Sequence, residues 1–455
     1  MFSAIARVLK TPGLRNKVFF TLGIIALYRM GTFIPGPFVN YANVEQCLTA
    51  AETTGDTGLF DMINLFSGGG LLQMSIFALG IMPYITASII TQLLRVVIPH
   101  FETLYKEGQA GQSKLTQYTR YITIGLAVLQ STTIVTVART GALFGANASP
   151  ACQNVITMLP ETAANPENVW INVVRTLLII LTLTAGTTII MWFGELITER
   201  GVGNGMSLLI FTSIAATFPS AFMAVSAGAD GVGAMVMIIG LGLLILIAVV
   251  FVEQSQRRIP VQYAKRMVGR RTYGGNTTYI PIKVNQAGVI PVIFASSLLY
   301  LPALIANFNQ PAPGQDPEPW VQWIRDNFMS GDNPLYMAIY FLLIIGFAYF
   351  YIAIAFNPEE VADNMKKHGG FIPGIRAGRP TAEYLNYVLT RITFPGSIYL
   401  GTIALIPLLG FSLIGGNQNF PFGGASLLII VGVGLETVKQ VDAQLQQRHY
   451  EGLIR

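Results

Sequence analysis

The sequence predicts an all-α, polytopic membrane protein whose ten transmembrane helices form a single integral channel-like domain over residues 1–455. Three observations predict it. Hydrophobic residues make up 52% of the chain and charged residues 11%, whereas roughly a quarter of a soluble domain is charged. The apolar residues fall in ten runs near 18–34, 75–97, 116–137, 170–192, 206–225, 233–252, 287–308, 334–356, 392–409 and 423–438, and about 20 such residues carry a helix across the hydrocarbon core. Finally, the basic residues alternate sides. With the N-terminus in the cytoplasm, the 28 Lys and Arg lie in the N-terminal arm, the even-numbered connections and the C-terminal tail, except for Arg29, Arg139, Arg175 and Arg325. Acidic residues divide almost evenly, as expected when positive charge alone sets orientation. Both termini are thus expected in the cytoplasm, and the net charge of +5 is a topology signal rather than nucleic-acid affinity.

In chain order, residues 1–17 are basic, and the run 18–34 is span-length without a small-residue cleavage site, so it is expected to stay as the first span. The next apolar piece, Leu59 to Phe66, is too short to cross. A triple glycine, Gly68, Gly69 and Gly70, joins it to the run 75–97. A half-length segment on a glycine hinge reads as a movable part inside the protein, because non-helical backbone facing lipid lacks hydrogen-bond partners. An ordinary interfacial loop helix is the other reading. Pro83, Pro291, Pro302, Pro395 and Pro407 interrupt later spans, and the external stretch 307–333 reads as irregular. Arg29 and Arg175 lie near external span ends, where they are expected to snorkel.

Two cytoplasmic loops are long and basic. Residues 253–286 hold Arg257, Arg258, Lys265 and Arg266, with an alternating pattern and a Gly274-Gly275 turn that predict a hairpin. Residues 357–391 open on Asn357-Pro-Glu-Glu, a helix start, and carry Lys366, Lys367, Arg376 and Arg379. Topology anchoring alone would explain such charges, but their pattern favours partner docking. Cys47 and Cys152 both fall in external loops, where an oxidising compartment permits a disulfide. Two unpaired thiols is the alternative. The chain has no His-Glu-x-x-His, no paired intramembrane acids and no phosphate loop, so neither a protease nor an ATPase has a catalytic set.

Phe66-Ser-Gly-Gly followed by Ser75-Ile-Phe-Ala-Leu-Gly-Ile-Met-Pro-Tyr-Ile resembles the plug and following helix of the SecY/Sec61-alpha family. Glu195-Leu-Ile-Thr-Glu-Arg-Gly-Val-Gly-Asn-Gly-Met-Ser, Arg257-Arg-Ile-Pro-Val-Gln-Tyr-Ala-Lys-Arg, Lys283-Val-Asn-Gln-Ala-Gly-Val-Ile-Pro and Phe371-Ile-Pro-Gly-Ile-Arg resemble the same family, in order, from about Phe19 onward. The resemblance implies two pseudo-symmetric inverted halves, about 18–225 and 233–438. It implies a pore ring of Ile81, Ile85, Met206, Ile210, Ile293 and Ile429, with Met206 departing from the usual isoleucine. Branched aliphatics suit a ring that must not hold a passing chain and must exclude water by dewetting. Without the resemblance, these residues read as ordinary packing. It further implies a plug including Leu59, Ile63, Phe66, Gly68, Gly69 and Gly70, and a lateral gate near Thr86, Gln130, Ser296 and Ser297. These polar residues otherwise read as weak interhelical hydrogen bonds.

The implied role is a passive gated conduit of a bacterial cytoplasmic membrane, with no enzymatic activity, cofactor or metal. It would move unfolded preproteins across and release signal sequences and hydrophobic spans into the lipid bilayer. The implied partners are the ATPase SecA or a ribosome at the basic loops, and the small subunits SecE and SecG. A secondary transporter or facilitator for a small solute is the alternative, followed by a membrane-assembly factor without a pore.

Overall fold

The computed structural model describes residues 11–54, 64, 67–140, 152, 155–157, 167–226, 231–263, 266–268, 271–273, 277–308, 318–329, 333–414 and 424–451. Leu59, Ile63, Phe66 and Lys265, together with the Gly274-Gly275 turn, lie outside them. Ten helices of at least 16 residues carry the apolar runs. They are α1 (Pro12–Phe33), α3 (Met82–Val97), α5 (Gln109–Thr140), α6 (Glu167–Arg200), α7 (Gly205–Ser226), α8 (Gly231–Gln254), α9 (Ile290–Phe308), α11 (Pro334–Ala355), α13 (Arg379–Ile414) and α14 (Gly424–Glu451). Shorter helices are α2 (Tyr41–Thr54), α4 (Pro99–Lys106), α10 (Pro319–Ile324) and α12 (Pro358–Lys367). The protein is an all-α, multi-pass membrane protein.

The helices pack as two equivalent sets of five. In the first set, α3 meets α5, α5 meets α6, α6 meets α7, α1 meets α7, and α3 meets α6. The second set repeats each pairing, as α9–α11, α11–α13, α13–α14, α8–α14 and α9–α13. Two short motifs mark the repeat. Gly80-Ile-Met-Pro-Tyr-Ile-Thr-Ala-Ser at the start of α3 reappears as Gly288-Val-Ile-Pro-Val-Ile-Phe-Ala-Ser at the start of α9. Both leading glycines have left-handed backbone, φ 56° at Gly80 and 62° at Gly288. Gly205-Met-Ser-Leu-Leu-Ile opens α7, and Gly424-Ala-Ser-Leu-Leu-Ile opens α14.

Several expectations are corrected. The run 75–97 is not one continuous helix, since α3 begins only at Met82. Its 16 residues span about 24 Å, short of the ~30 Å hydrocarbon core, and residues 67–81 fill the rest as turns. That backbone is satisfied internally, through Ser75 N–H to Gly70 O, Ile76 N–H to Ile34 O, Ala78 N–H to Ser75 O and Gly80 N–H to Phe77 O, as the bilayer requires. It threads between α1 and α6 where these present glycine. A Cβ on Gly186 would lie 2.0 Å from Ile76 O, and one on Gly31 would lie 2.1 Å from the Phe77 ring. Pro83 and Pro291 do not break spans. They occupy the first turns of α3 and α9, where a missing N–H costs nothing. The stretch 307–333 is not wholly irregular, because it holds α10 and a π-helical turn, Arg325–Met329. The ninth and tenth spans outlast their apolar runs, with α13 starting at Arg379 and α14 reaching Glu451.

The two basic loops fold as one unit. Strands β1 (Gln256–Tyr263) and β4 (Thr277–Lys283) form the expected hairpin, with Ile259 opposite Ile280. Between them β2 (Arg266–Val268) pairs with β3 (Arg271–Tyr273). Strand β5 (Gly370–Phe371), from the second loop, adds to the other edge of β1. Ile259, Val261 and Ile282 of the sheet share one core with Met365, Ile372, Leu385 and Val388 of the second loop and α13. Asn357 caps α12 by accepting from Glu359 N–H at 3.1 Å.

Candidate functional site

All six aliphatic residues expected to form a ring converge in one cluster. Ile81, Ile210, Ile293 and Ile429 are buried in it, and Ile85 and Met206 pack against it. They come from α3 and its N-terminal flank, α7, α9 and α14. The repeated motifs account for the convergence: Ile85 and Ile293 hold the same place in the first motif, and Ile210 and Ile429 in the second. The first motif also pairs Ile81 with Val289, which packs against the same cluster and which sequence reasoning missed. Met206 lies over Gly194 of α6, where a Cβ would meet its sulfur at 2.2 Å. The Glu195-to-Ser207 motif thus sets the start of α7 tightly against the end of α6, with Thr198 Oγ1 accepting from Gly205 N–H at 2.9 Å.

The triple glycine abuts this cluster and is clamped rather than free. Gly68 and Gly69 have left-handed backbone, φ 68° and 90°. Arg29 donates to Gly68 O at 2.8 Å and stacks on Phe33 at 5.2 Å. Tyr28 is fully buried, with its hydroxyl 2.6 Å from Ser213 Oγ of α7, and its ring stacks on Phe77. Asn64 Oδ1 accepts from Leu72 N–H at 3.2 Å. Arg29 therefore does not snorkel; a carbonyl of the glycine turn takes up its charge. Gly70 Cα is also enclosed, a Cβ there falling 2.7 Å from Ser75 Oγ.

Helix α9 packs on both α3 and α5, which makes a seam between the two sets of five. The polar residues expected there do not bond across it. Thr86 donates to Met82 O and Ser296 to Ile293 O, each within its own helix. The Ser297 hydroxyl is buried with no hydrogen-bond partner, and Gln130 is half-buried on α5. The reason is local: a Ser or Thr hydroxyl reaches its own i−3 or i−4 carbonyl without needing a neighbour. A seam lined this way is held by packing, with no hydroxyl bonds to break.

On the basic face, Arg257 and Arg258 lie on β1, Arg266 on β2, and Lys366 and Lys367 in the last turn of α12. Arg258 stacks on Tyr279 at 5.9 Å. Arg376 is exposed in a turn between Gly374 and Gly378, both left-handed, and its carbonyl accepts from Thr381 Oγ1 at 2.8 Å. Arg379 pairs with Glu383 at 3.1 Å. Arg120 makes a two-pronged bond to Glu195, at 2.8 and 2.7 Å, joining α5 to α6.

On the opposite face Cys47 and Cys152 are joined in a disulfide with a Cα–Cα distance of 5.5 Å. Around it Asn40 N–H donates to Val155 O, and Thr157 N–H to Phe38 O. Arg175 donates to Thr157 O at 2.9 Å and stacks on Phe38, so it too holds a loop instead of reaching outward.

Similarity to known proteins accords with this geometry. A curated relative, protein translocase subunit SecY of Streptomyces scabiei, is 59% identical across 100% of both chains. The corresponding protein of Micrococcus luteus is 57% identical, again over 100% of both. Among solved structures, a protein-conducting channel matches with TM-score 0.58 at 17% identity, covering 93% of this chain and 91% of that one. Sec61 from a canine ribosome–channel complex matches with TM-score 0.54 at 16% identity, with the same coverage of 93% and 91%. At such identities the structures speak for the fold. The SecY family model matches residues 75–438, and with relatives this similar along their whole length the chain belongs to the SecY family.

Proposed function

We propose that the chain is the pore-forming subunit of a protein-secretion channel, a passive conduit for unfolded polypeptides. The observation that carries this reading is the aliphatic cluster itself, drawn from four helices of both halves and assembled from duplicated motifs. In this reading Ile81, Ile85, Met206, Ile210, Ile293 and Ile429 are the constriction. Their side chains offer no hydrogen bond to a passing chain and shed water when closed. The segment leading into Gly68, Gly69 and Gly70, with Leu59, Ile63 and Phe66, is the plug. Arg29 and Tyr28 hold its exit. Signal sequences and hydrophobic spans leave into lipid through the seam near Thr86, Gln130, Ser296 and Ser297.

The basic face is cytoplasmic, as the charge distribution favours, and the membrane is the cytoplasmic membrane of a bacterium, like those of the Streptomyces and Micrococcus relatives. The chain has no motor of its own, so work comes from a ribosome or the ATPase SecA on the platform carrying Arg257, Arg258, Lys265, Arg266, Lys366, Lys367, Arg376 and Arg379. A ribosome would meet these charges with phosphates. SecE and SecG complete the complex.

The test is to crosslink a stalled secretory chain to a photoreactive probe at Ile85. The expected result is a crosslink that follows the chain as it lengthens. A channel that carries the chain without contact at Ile85 refutes the ring assignment.

A further inference from the structure

The seam hydroxyls bond within their own helices, yet one side chain does cross between the two halves. Arg95, in the last turn of α3, donates from Nη2 to Ile354 O at 2.9 Å. Ile354 lies in the last turn of α11. Its carbonyl is one of the four that a helix C-terminus leaves without an intrahelical partner, and the negative end of the helix dipole favours a cation there. The same guanidinium lies 3.8 Å from the centroid of the Tyr105 ring. Tyr105 is on α4, the short amphipathic helix on the basic face. Helix α4 leaves α3 after Ile98 with a bend of 97° between the two axes. One planar cation thus touches three elements: the end of α3, the end of α11 and a surface helix that is free to meet a partner.

We propose that Arg95 is the clasp that keeps the basic end of the seam shut, and that Tyr105 makes the clasp responsive to whatever presses on α4. The inference rests on the reading of the seam as the lateral exit. Bonding by Arg95 fits a reversible closure. An arginine–carboxylate pair would be two-pronged and stronger, as Arg120 and Glu195 are between helices of the same half. A single bond to a carbonyl can be surrendered to water when the ends part, since both groups lie at the span ends. Stacking on Tyr105 holds the guanidinium plane in the position that reaches Ile354, and a lysine at the same place would keep the charge but lose the fork and the stacked face. Arg95 is therefore a positioning residue for the gate.

The experiment uses the complete channel with its membrane partners in proteoliposomes, bearing spin labels at Val97 and Ala355, beyond the clasp on each side. Four forms are compared: unaltered, Arg95→Gln, Arg95→Lys and Tyr105→Ala. Arg95→Gln is expected to broaden the resting distance distribution. It should also raise export of a preprotein with a defective signal sequence about tenfold, the factor carried by a hydrogen bond to a charged group. Arg95→Lys and Tyr105→Ala should fall between. A resting distribution and signal selectivity unchanged in Arg95→Gln, with normal insertion, overturns the clasp. Thermal stability is recorded alongside, because a merely structural arginine would lower it without altering selectivity. The unaltered channel separates the two readings. If the labels part when a normal signal sequence engages but Arg95→Gln changes nothing, only the clasp fails. If they never part during transport, the lateral exit itself fails.

Discussion

Removing the Arg29 guanidinium should make the idle channel leak. Arg29 donates to Gly68 O at 2.8 Å, and a hydrogen bond to a charged group contributes about 1.5–3 kcal/mol. Arg29→Gln shortens the side chain, removes the charge and abolishes the contact with Phe33. Taking about 2 kcal/mol as the loss, and about 1.4 kcal/mol per factor of ten, the displaced state of the segment beyond Gly68 should rise roughly thirtyfold. Adding Tyr28→Phe removes the bond to Ser213 Oγ, worth about 0.6 kcal/mol inside a membrane, and should multiply the effect by about three. Gly68→Ala should act in the same direction. At φ 68° an L-residue costs about 1–2 kcal/mol, and the new Cβ would lie 3.0 Å from Arg29 Nη1 and 3.2 Å from Ser213 Cα. The assay is single-channel conductance in planar bilayers, read as open probability without substrate. Arg29→Lys, which keeps the charge, should leak less than Arg29→Gln. Open probability unchanged in Arg29→Gln, with the protein inserted and the Cys47–Cys152 bond intact, refutes the argument that this arginine restrains the plug.

Replacing Ile85 and Ile293 together by Asn should wet the constriction, and ion flux through resting proteoliposomes should rise more than with either change alone. Gly194→Val should displace Met206, whose sulfur already lies 2.2 Å from an added Cβ; the expected outcome is lower thermal stability together with a leak. Arg376→Glu should abolish ATPase-driven transport at normal expression, measured by protease protection of an exported substrate, whereas docking dominated by ribosomal phosphate should instead weaken with salt for every basic residue of the platform. Cys47→Ser with Cys152→Ser opens a cross-link spanning a sequence separation of 105, and should lower stability by about 2–4 kcal/mol. Mass spectrometry after alkylation without reduction should find both thiols of the unaltered protein unlabelled.

The bundle was legible because its signals are additive along the chain. Every apolar run found its helix, and Asn357 capped α12 as its motif implied. The start of α3 was not legible. Residues 75–81 are apolar in either conformation, and periodicity does not separate a buried turn from a buried helix. The duplicated motifs escaped notice because each is only a handful of residues, and their common role appears only when α3, α7, α9 and α14 meet at one cluster. The pairing of β5 with β1 joins residues from two loops separated by α9, α10 and α11, and no local pattern encodes such a pair. Arg29, Arg95 and Arg175 were visible as charges, but their partners are the carbonyls of Gly68, Ile354 and Thr157. A backbone carbonyl belongs to every residue and leaves no mark in the sequence.

Those three arginines share a physical logic. Each sits near the end of a span, and each donates to the main chain of a segment distant in sequence: the glycine turn, the end of α11 and the loop after α5. A charge near hydrocarbon must be satisfied, and a carboxylate partner would do so most strongly. It would also lock the two segments together, because separating them would leave two unpaired ions. A carbonyl is neutral, so when the segments part only the arginine must be rehydrated, and it lies close enough to water for that. The stationary contact, Arg120 with Glu195 between α5 and α6, is the one built as a full ion pair. Hydroxyls along the seam add no resistance, being satisfied by their own helices. On this account the strength of each polar contact tracks whether its two sides are meant to move. Converting a carbonyl contact into an ion pair should therefore freeze the channel: Ile354→Glu, set opposite Arg95, should slow lateral release of hydrophobic spans while leaving resting leak unchanged. Faster or unaltered release in that variant would break the link between contact chemistry and motion.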